Sequence, residues 1–382
     1  MIIRNSWFSV VAISSSMFMR MLGVFIALPV IAYGAQELSQ SSALLIGVAV
    51  GIHGLSQSTL QIPFGYLSDK WQRKPVLIFG LALFLCGSLV AAFSTNIWGM
   101  ILGRFLQGCG AIGSVSLAFI IDRVPQDKQA IAIASFGASI GAAFIISLFL
   151  GPIIYNLYTL KGVFLLGAVF ALIAILLISL VPGNAEGKTN AFNYSILESL
   201  KSAFTDGTKL PFCFATVFII HAALATYFTA LPALIGKVDY SLYLYAICIA
   251  IAIIGLFPIK KYGDSITKLS ILLMALAQLS VAFGMGKMSF CVFLITFIIL
   301  ETLLPSEVAK NCREGQRGIS LGIYTTFQFL GVFLGGSCSG FVLNYLDARI
   351  LPLLASGLTF SLLATIILYT KLFDRYTVLV EH

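Results

Sequence analysis

Apolar runs of about 20 residues recur along the whole sequence, and a run of that length crosses a bilayer as a helix. Twelve such runs are separated by short polar segments, and they lie near residues 7–33, 43–65, 75–94, 97–122, 129–156, 162–182, 210–236, 240–259, 268–286, 288–309, 318–345 and 349–371. Only 10% of the residues are charged, whereas soluble domains carry roughly 25%. The sequence therefore predicts an all-α membrane protein with twelve transmembrane helices.

The basic residues predict the orientation of the chain, because Lys and Arg concentrate in the cytoplasmic loops of membrane proteins. If the N-terminus is cytoplasmic, the outer segments hold only Lys161, Lys237, Lys287 and Arg349 of the 23 Lys and Arg residues. The remainder fall in cytoplasmic segments, apart from two arginines inside spans. We therefore expect both termini in the cytoplasm. The formal net charge of +8 arises from these short loops, so nucleic-acid binding is not indicated.

One long connection divides the chain into two halves. It covers residues 183–209, and four of its apolar residues share one helical face: Ile196, Leu197, Leu200 and Phe204. This pattern predicts an amphipathic helix on the membrane surface. Residues 1–182 and 210–371 are then expected to form two six-helix bundles, followed by a short cytoplasmic tail at 372–382. Two such halves are typical of transporters with a central site at the midplane.

The loop between the second and third spans reads Gly65-Tyr66-Leu67-Ser68-Asp69-Lys70-Trp71-Gln72-Arg73-Lys74. It resembles the signature loop of the major facilitator superfamily, G-x-L-a-D-r-x-G-R-K, with Gln72 in place of the usual Gly. The resemblance implies a cytoplasmic latch that includes Gly65, in which Asp69 accepts hydrogen bonds from Arg73. Asp122, at the end of the fourth span, is expected to share Arg73. Breaking these contacts would free the two bundles to move.

The fourth and fifth spans carry two further resemblances to this superfamily. Arg104, in the run Arg104-Phe105-Leu106-Gln107-Gly108-Cys109-Gly110 of the fourth span, is expected to take part in proton movement. Alternatively, it ties helices together through backbone carbonyls and Gln107. Gly151-Pro152 resembles the core of the antiporter motif, although the flanking glycines of that motif are absent.

Several segments resemble bacterial YajR-type exporters: Met19 to Gly23, Leu45 to Gly51, Gln61 to Gly65, Ile101 to Arg104, Leu303 to Ser306 and Gln328 to Gly331. The resemblance implies proton-driven efflux across a bacterial inner membrane. Those exporters carry a ferredoxin-like domain after the last span. Only a short tail follows Lys371 in this sequence, so we expect regulation through that domain to be absent.

Ionisable residues inside the spans are few, and such residues usually mark function. A carboxyl group shielded from water binds a proton more readily, and histidine titrates near neutral pH. Glu301 and His221 match positions of the YajR-type pattern, and we predict that they form the proton site. The alternative is a buried hydrogen-bonded pair that serves packing.

The substrate cavity is predicted to include Arg20, His53, Tyr227 and Tyr324. The first six spans contain no acidic residue away from the cytoplasmic end. Because a guanidinium attracts negative charge in a medium of low dielectric, the cavity is expected to prefer neutral or anionic compounds.

These features predict a secondary transporter that exports a small organic compound, such as a drug, a metabolite or a siderophore, in exchange for protons. The alternative is proton-coupled import of an organic acid, a sugar or a siderophore. A membrane enzyme or a lipid flippase is less favoured, because the sequence has no HExxH, GxSxG or GxxxxGK[ST] motif. The seven cysteines include no CxxC pair, so neither a metal nor a disulfide is indicated. No cofactor is expected. Each chain contains both bundles, and a monomer is therefore expected to suffice.

Overall fold

The computed structural model describes residues 2–182, 201, 209–234, 248, 251, 259–312 and 317–380, and nearly all of them are helical. The helices are α1 (Ile2–Phe25), α2 (Ile31–Gly34), α3 (Ala43–Trp71), α4 (Arg73–Ala92), α5 (Ile97–Cys109), α6 (Gly113–Ile121), α7 (Gln129–Leu180), α8 (Leu210–Leu234), α9 (Ile259–Ala282), α10 (Gly286–Asn311), α11 (Arg317–Tyr345) and α12 (Ile350–Val380). Two short 3-10 helices, Ala35–Glu37 and Gln126–Lys128, lie in connections. Within the described ranges, no strand is present.

Ten segments of the described chain are helical, long and apolar enough to cross a membrane. One of them, Gln126–Leu180, has 55 residues, far more than the 20 or so that one crossing needs. It is interrupted at Thr159, whose φ of 57° and ψ of −168° are not helical. This segment therefore contains both the fifth and the sixth predicted spans. The eighth predicted span (240–259) and the predicted amphipathic helix of the linker fall almost wholly outside the described residues.

Local sequence sets where several helices begin. Ser42 precedes α3 in an extended conformation, and its side chain accepts a hydrogen bond from the Leu45 amide at 3.3 Å. Asn96 does the same for α5, accepting from the Gly99 amide at 2.8 Å. Such caps satisfy amides that have no partner within the first turn of a helix. They fix the ends of the helices that carry His53 and Arg104.

The first half of the chain packs around α1, α3, α4, α5 and α7. α1 lies against α7, α3 against α5, and α4 against both α5 and α7. Gly108 brings α5 very close to α3, because a Cβ at this position would stand 2.2 Å from the His53 carbonyl oxygen. The close approach is possible only without a side chain, and it places Arg104 next to His53.

The two halves meet along α3 and α11. A Cβ at Gly47 would lie 2.4 Å from the carbonyl oxygen of Gly336, and one at Gly51 would lie 2.7 Å from that of Phe333. Phe144 of α7 also crosses to the second half, where its ring centroid is 5.4 Å from that of Phe297. The halves are therefore in backbone and aromatic contact. The exact domain boundaries stay a prediction.

Candidate functional site

Three polar side chains from three helices converge inside the second half. They are His221 on α8, Glu301 on α10 and Gln328 on α11. The Gln328 amide nitrogen Nε2 donates to His221 Nε2 at 2.8 Å and to Glu301 Oε1 at 3.0 Å. The second carboxyl oxygen, Glu301 Oε2, lies 3.5 Å from His221 Nε2. Residues that are 27 and 107 positions from Gln328 in sequence thus form one cluster.

The contacts of His221 define which ring nitrogen carries hydrogen in the neutral ring. Its Nδ1 is 3.0 Å from the Val217 carbonyl oxygen, and a carbonyl only accepts, so Nδ1 is the donor. The other nitrogen, Nε2, then has a lone pair that accepts from Gln328. This arrangement also decides the orientation of the Gln328 amide, since both of its neighbours are acceptors. The cluster is consistent with a neutral His221 and with Glu301 Oε1 as an acceptor.

Glu301 Oε2 and two tyrosine hydroxyls of the second half, Tyr324 Oη and Tyr227 Oη, are buried and have no hydrogen-bond partner among the described residues. The Tyr324 hydroxyl lies within electrostatic range of Glu301. Although Oε2 itself is covered, 28% of the Glu301 side chain is exposed. Buried polar atoms are normally paired, so these oxygens are candidates to contact a proton, water or a transported compound.

An aromatic wall connects the cluster with the first half of the chain. Phe297 lies against His221, with ring centroids 5.1 Å apart, and against Phe144 of α7 at 5.4 Å. Phe144 in turn meets Phe25 of α1 edge to face at 5.4 Å. Tyr227 packs against Phe293 with ring centroids 4.3 Å apart and ring planes tilted by 33°. Such rings bury large apolar areas in specific geometries, and they hold His221 against the contact between the halves.

The first half buries Arg20 and Arg104 completely. Arg104 on α5 has neutral partners on three sides: it donates to Gln107 Oε1 at 2.8 Å, to His53 Nδ1 at 2.8 Å and to the Ala49 carbonyl at 3.4 Å. Gln107 continues the network to Ser88 at 2.9 Å. His53 Nδ1 faces both this guanidinium, which only donates, and the Val50 carbonyl oxygen at 3.2 Å, which only accepts. When Nδ1 accepts at the shorter contact with Arg104, it makes no hydrogen bond to Val50. These contacts tie α5 to α3, and the part of Arg104 in proton movement stays a prediction.

Arg20 on α1 has fewer partners. It donates to Gln57 Oε1 at 2.9 Å and weakly to Met21 Sδ at 3.4 Å, and its carbon Cζ lies 5.8 Å from the centroid of the Phe84 ring. Its Nε has no hydrogen-bond partner in the described chain. Gln57 follows His53 by one helical turn on α3, so the two arginines lie near one polar stripe.

Near the ends of α3 and α6, Arg73 joins two carboxylates. It forms an ion pair with Asp69, and its Nε donates to Asp122 Oδ2 at 3.1 Å. It also donates to the Ser68 hydroxyl at 2.7 Å. The structure thus brings Asp69, Arg73 and Asp122 together. Gly65 is not crowded, since a Cβ there would meet only Ser114 Oγ at 3.7 Å.

The pair Gly151-Pro152 lies inside α7. A Cβ at Gly151 would stand 2.4 Å from the Ile26 carbonyl oxygen. The glycine therefore allows α7 to contact the chain that follows α1. It is placed at a helix contact within the first half, apart from the Glu301 cluster.

Comparison with known proteins identifies the family. Residues 13–336 match the profile of the Major Facilitator Superfamily. The chain belongs to this superfamily. The Escherichia coli (strain K12) inner membrane transport protein YajR is 34% identical over 347 residues, which are 87% of this chain and 76% of YajR. The multidrug resistance protein MdtH of Aeromonas salmonicida is 25% identical, over 82% of this chain and 81% of MdtH.

The fold of the superfamily also appears in solved structures. The crystal structure of a mutant of the nucleoside transporter NupG superposes with a TM-score of 0.71 and 16% identity, over 94% of this chain and 99% of that chain. At this identity the likeness shows the fold alone. The protein is thus an all-α, multi-pass membrane transporter and not an enzyme.

The superfamily loop between α3 and α4 has an unusual backbone at Gln72. Its φ is 87° and its ψ is 142°, a region that favours glycine. The superfamily pattern has Gly at this position, so the backbone keeps the turn that glycine permits even though the residue has changed. The turn is retained at the cost of local strain.

Two residues of the site were not predicted from sequence. Gln328 stands in a segment used for the YajR-type resemblance, but an uncharged amide in a span gives no signal about its partners. Gln57 follows His53 and precedes Gln61 at four-residue spacing. That spacing puts three polar side chains on one face of α3. It was the sequence signal that could have identified Gln57 as part of the site.

Proposed function

We propose that this protein is a proton-coupled secondary transporter that exports a small organic compound from a bacterial cytoplasm. In this proposal both termini face the cytoplasm of the inner membrane and a single chain provides the complete pathway. Alternating access comes from movement of the two halves about a midplane site. Glu301 and His221 take up and release the coupling proton.

The observation that carries the proposal is the position of Glu301. The residue stands in the middle of α10, a helix of 26 residues, and not at its polar ends. Its carboxyl group has a neutral imidazole within 3.5 Å and one oxygen without a hydrogen-bond partner in the described chain. An ionisable group at membrane depth with a free acceptor is suited to bind a proton. Packing alone would be served by a fully satisfied pair.

Arg20 supports a preference for neutral or anionic substrates. Its guanidinium is fully buried, with one N–H unpaired in the described chain. Across the described parts of α1, α3, α4 and α5, carboxylates occur only near the helix ends. A negative group would therefore be attracted to this half. The multidrug relative MdtH makes several chemically different substrates a reasonable expectation.

The first test is a deletion strain in which small-molecule contents inside and outside the cells are compared. Wild type, Glu301→Gln and Glu307→Gln are restored in parallel. Glu307 is the matched control, because it stands on the same helix and pairs with Lys310 at 2.8 Å near the surface. We expect a compound to accumulate inside deletion cells and to be exported again by wild type and Glu307→Gln but not by Glu301→Gln.

Two results would change the proposal. Unchanged proton-linked transport by Glu301→Gln would remove Glu301 from the proton site. A compound that is depleted inside the deletion strain and left outside would reverse the direction and establish proton-coupled import.

A further inference from the structure

The amide nitrogen of Gln328 stands between the two ionisable side chains of the candidate proton site. It is 2.8 Å from His221 Nε2 and 3.0 Å from Glu301 Oε1. An amide nitrogen carries two hydrogens, so both bonds form at once. Both partners must then be acceptors. The arrangement requires a neutral ring and an accepting Oε1, and a charged carboxylate accepts more strongly than a protonated carboxyl group does.

The lone pair of His221 Nε2 accepts one strong hydrogen bond at a time. Glu301 Oε2 lies 3.5 Å from the same nitrogen and has no hydrogen-bond partner in the described chain. When a proton from water binds Oε2, the new O–H becomes a second donor directed at this lone pair. Protonated Glu301 and Gln328 therefore compete for His221.

We propose that Gln328 is the positioning residue of the proton site, which it holds in the deprotonated form until Glu301 takes up a proton. This inference rests on the proposed function. Gln328 stabilises the carboxylate through one N–H and keeps His221 as an acceptor through the other. Protonation displaces Gln328 from His221, and the proton remains on the carboxyl group. The hydrogen bond between His221 and Gln328 of α11 is therefore broken when Glu301 binds a proton and formed again when the proton leaves.

Other titratable groups near the site are few among the described residues. They are Tyr324 on α11, which interacts electrostatically with Glu301, and Cys213 on α8, which interacts with Tyr324. Further along α10, Glu307 is paired with Lys310. On α9, Asp264 is paired with Lys268 at 2.9 Å near the helix start. From α7, the apolar ring of Phe144 packs against Phe297, which lies beside His221. The response to pH is therefore expected to centre on Glu301 and His221.

The position of Gln328 on α11 connects the proton site with the contact between the halves. The next residue, Phe329, is buried, and its carbonyl oxygen is 2.4 Å from where a Cβ of Gly54 would stand on α3. Its ring centroid is 6.3 Å from that of His53. Adjacent residues of one helix thus contact the proton site and the opposite half. A change in the hydrogen bonds of Gln328 acts on the helix that must move.

The test is infrared difference spectroscopy of the purified full chain in lipid nanodiscs, titrated between about pH 4 and 10. The carbonyl band of protonated carboxyl groups is recorded, and Glu301→Gln identifies the part that belongs to Glu301. In Gln328→Met we expect the midpoint of this band to move to higher pH by about one unit, because the carboxylate loses a donor. Gln328→Asn, whose shorter side chain cannot reach both acceptors, should shift the midpoint in the same direction.

The matched control is Gln278→Met. Gln278 is a fully buried glutamine of α9 whose Oε1 accepts from Thr359 at 2.8 Å, outside the proton site. Its replacement should leave the Glu301 midpoint unchanged. A wild-type midpoint in both Gln328 variants, or an equal shift in Gln278→Met, would overturn the role of Gln328 while leaving the proposed function intact. Absence of any Glu301 band in wild type would overturn both.

Discussion

At the scale of single residues, the two buried arginines of the first half differ in how completely they are paired. Arg104 donates to two side chains and a backbone carbonyl, whereas Arg20 has one strong acceptor, Gln57, and a free Nε within the described chain. A buried charge is tolerated when surrounding acceptors satisfy it. We therefore expect Arg104 to hold helices together, and we propose that Arg20 interacts with a substrate.

This difference predicts unequal effects on stability. Arg104→Met leaves Gln107 Oε1 without its donor and removes the bonds from α5 to His53 and Ala49 of α3, so it should lower the free energy of unfolding by about 2 kcal/mol or more. Arg20→Met leaves only Gln57 Oε1 unpaired, so it should lower the free energy of unfolding by less. Thermal unfolding of the two detergent-solubilised variants shows which of them loses more stability. An equal or reversed order would show that the polar network does not stabilise the first half.

At the scale of elements, α3 and α11 contact each other through glycines. Gly47 has its hypothetical Cβ 2.4 Å from the Gly336 carbonyl oxygen and 2.5 Å from Gly340 Cα. Small residues of this kind allow helix backbones to touch in a membrane. Here the two helices belong to opposite halves, so the contact between the halves at this point depends on these glycines.

A side chain at this contact is expected to block closure without unfolding either half. Gly47→Leu should reduce transport on the order of tenfold or more, because an overpacked contact costs about 1–3 kcal/mol. Gly137→Leu is the control, since among the described residues nothing beyond the backbone of its own helix lies within 4 Å of its hypothetical Cβ. Transport of the compound identified for the wild type is measured at equal membrane levels. Full activity of Gly47→Leu would mean that this contact is not made during the cycle.

At the scale of the whole molecule, charge is distributed unequally between the halves. The first half buries two guanidiniums, and the second half carries the mid-helix carboxyl group of Glu301. Interactions between such charges extend further in a medium of low dielectric than in water. The half that contains Arg20 is therefore suited to bind a negative group of a substrate. The opposite half, which contains Glu301, is suited to bind a proton.

The charge distribution predicts substrate selectivity. In a deletion strain, wild type should protect better against neutral or anionic toxic compounds than against cationic dyes. Arg20→Gln should reduce that preference several-fold, because the attraction of a buried charge is lost. Growth inhibition across a panel of compounds of known charge provides the measurement. Better protection against cationic dyes by the wild type would contradict the assignment of Arg20.

The sequence by itself determined the membrane environment, the all-α class and the superfamily. Long apolar runs have few stable structures in a bilayer, because every backbone N–H and C=O must be paired within the segment. The signature loop between α3 and α4 identified the family, since its spacing is local. The lengths of the apolar runs also gave nearly all the described spans. The gap predicted between the fifth and sixth spans, residues 157–161, contains the break that the structure has at Thr159.

The tertiary structure alone decided which polar side chains meet. Glu301 and His221 were selected as ionisable residues, but their link through Gln328 depends on how α8, α10 and α11 rotate against one another. Rotation is set by packing, such as the contacts of Phe297 with His221 and Phe144. A hydrophobic run that is apolar on every face contains little information about that rotation. Partners distant in sequence therefore become visible only once the helices are packed.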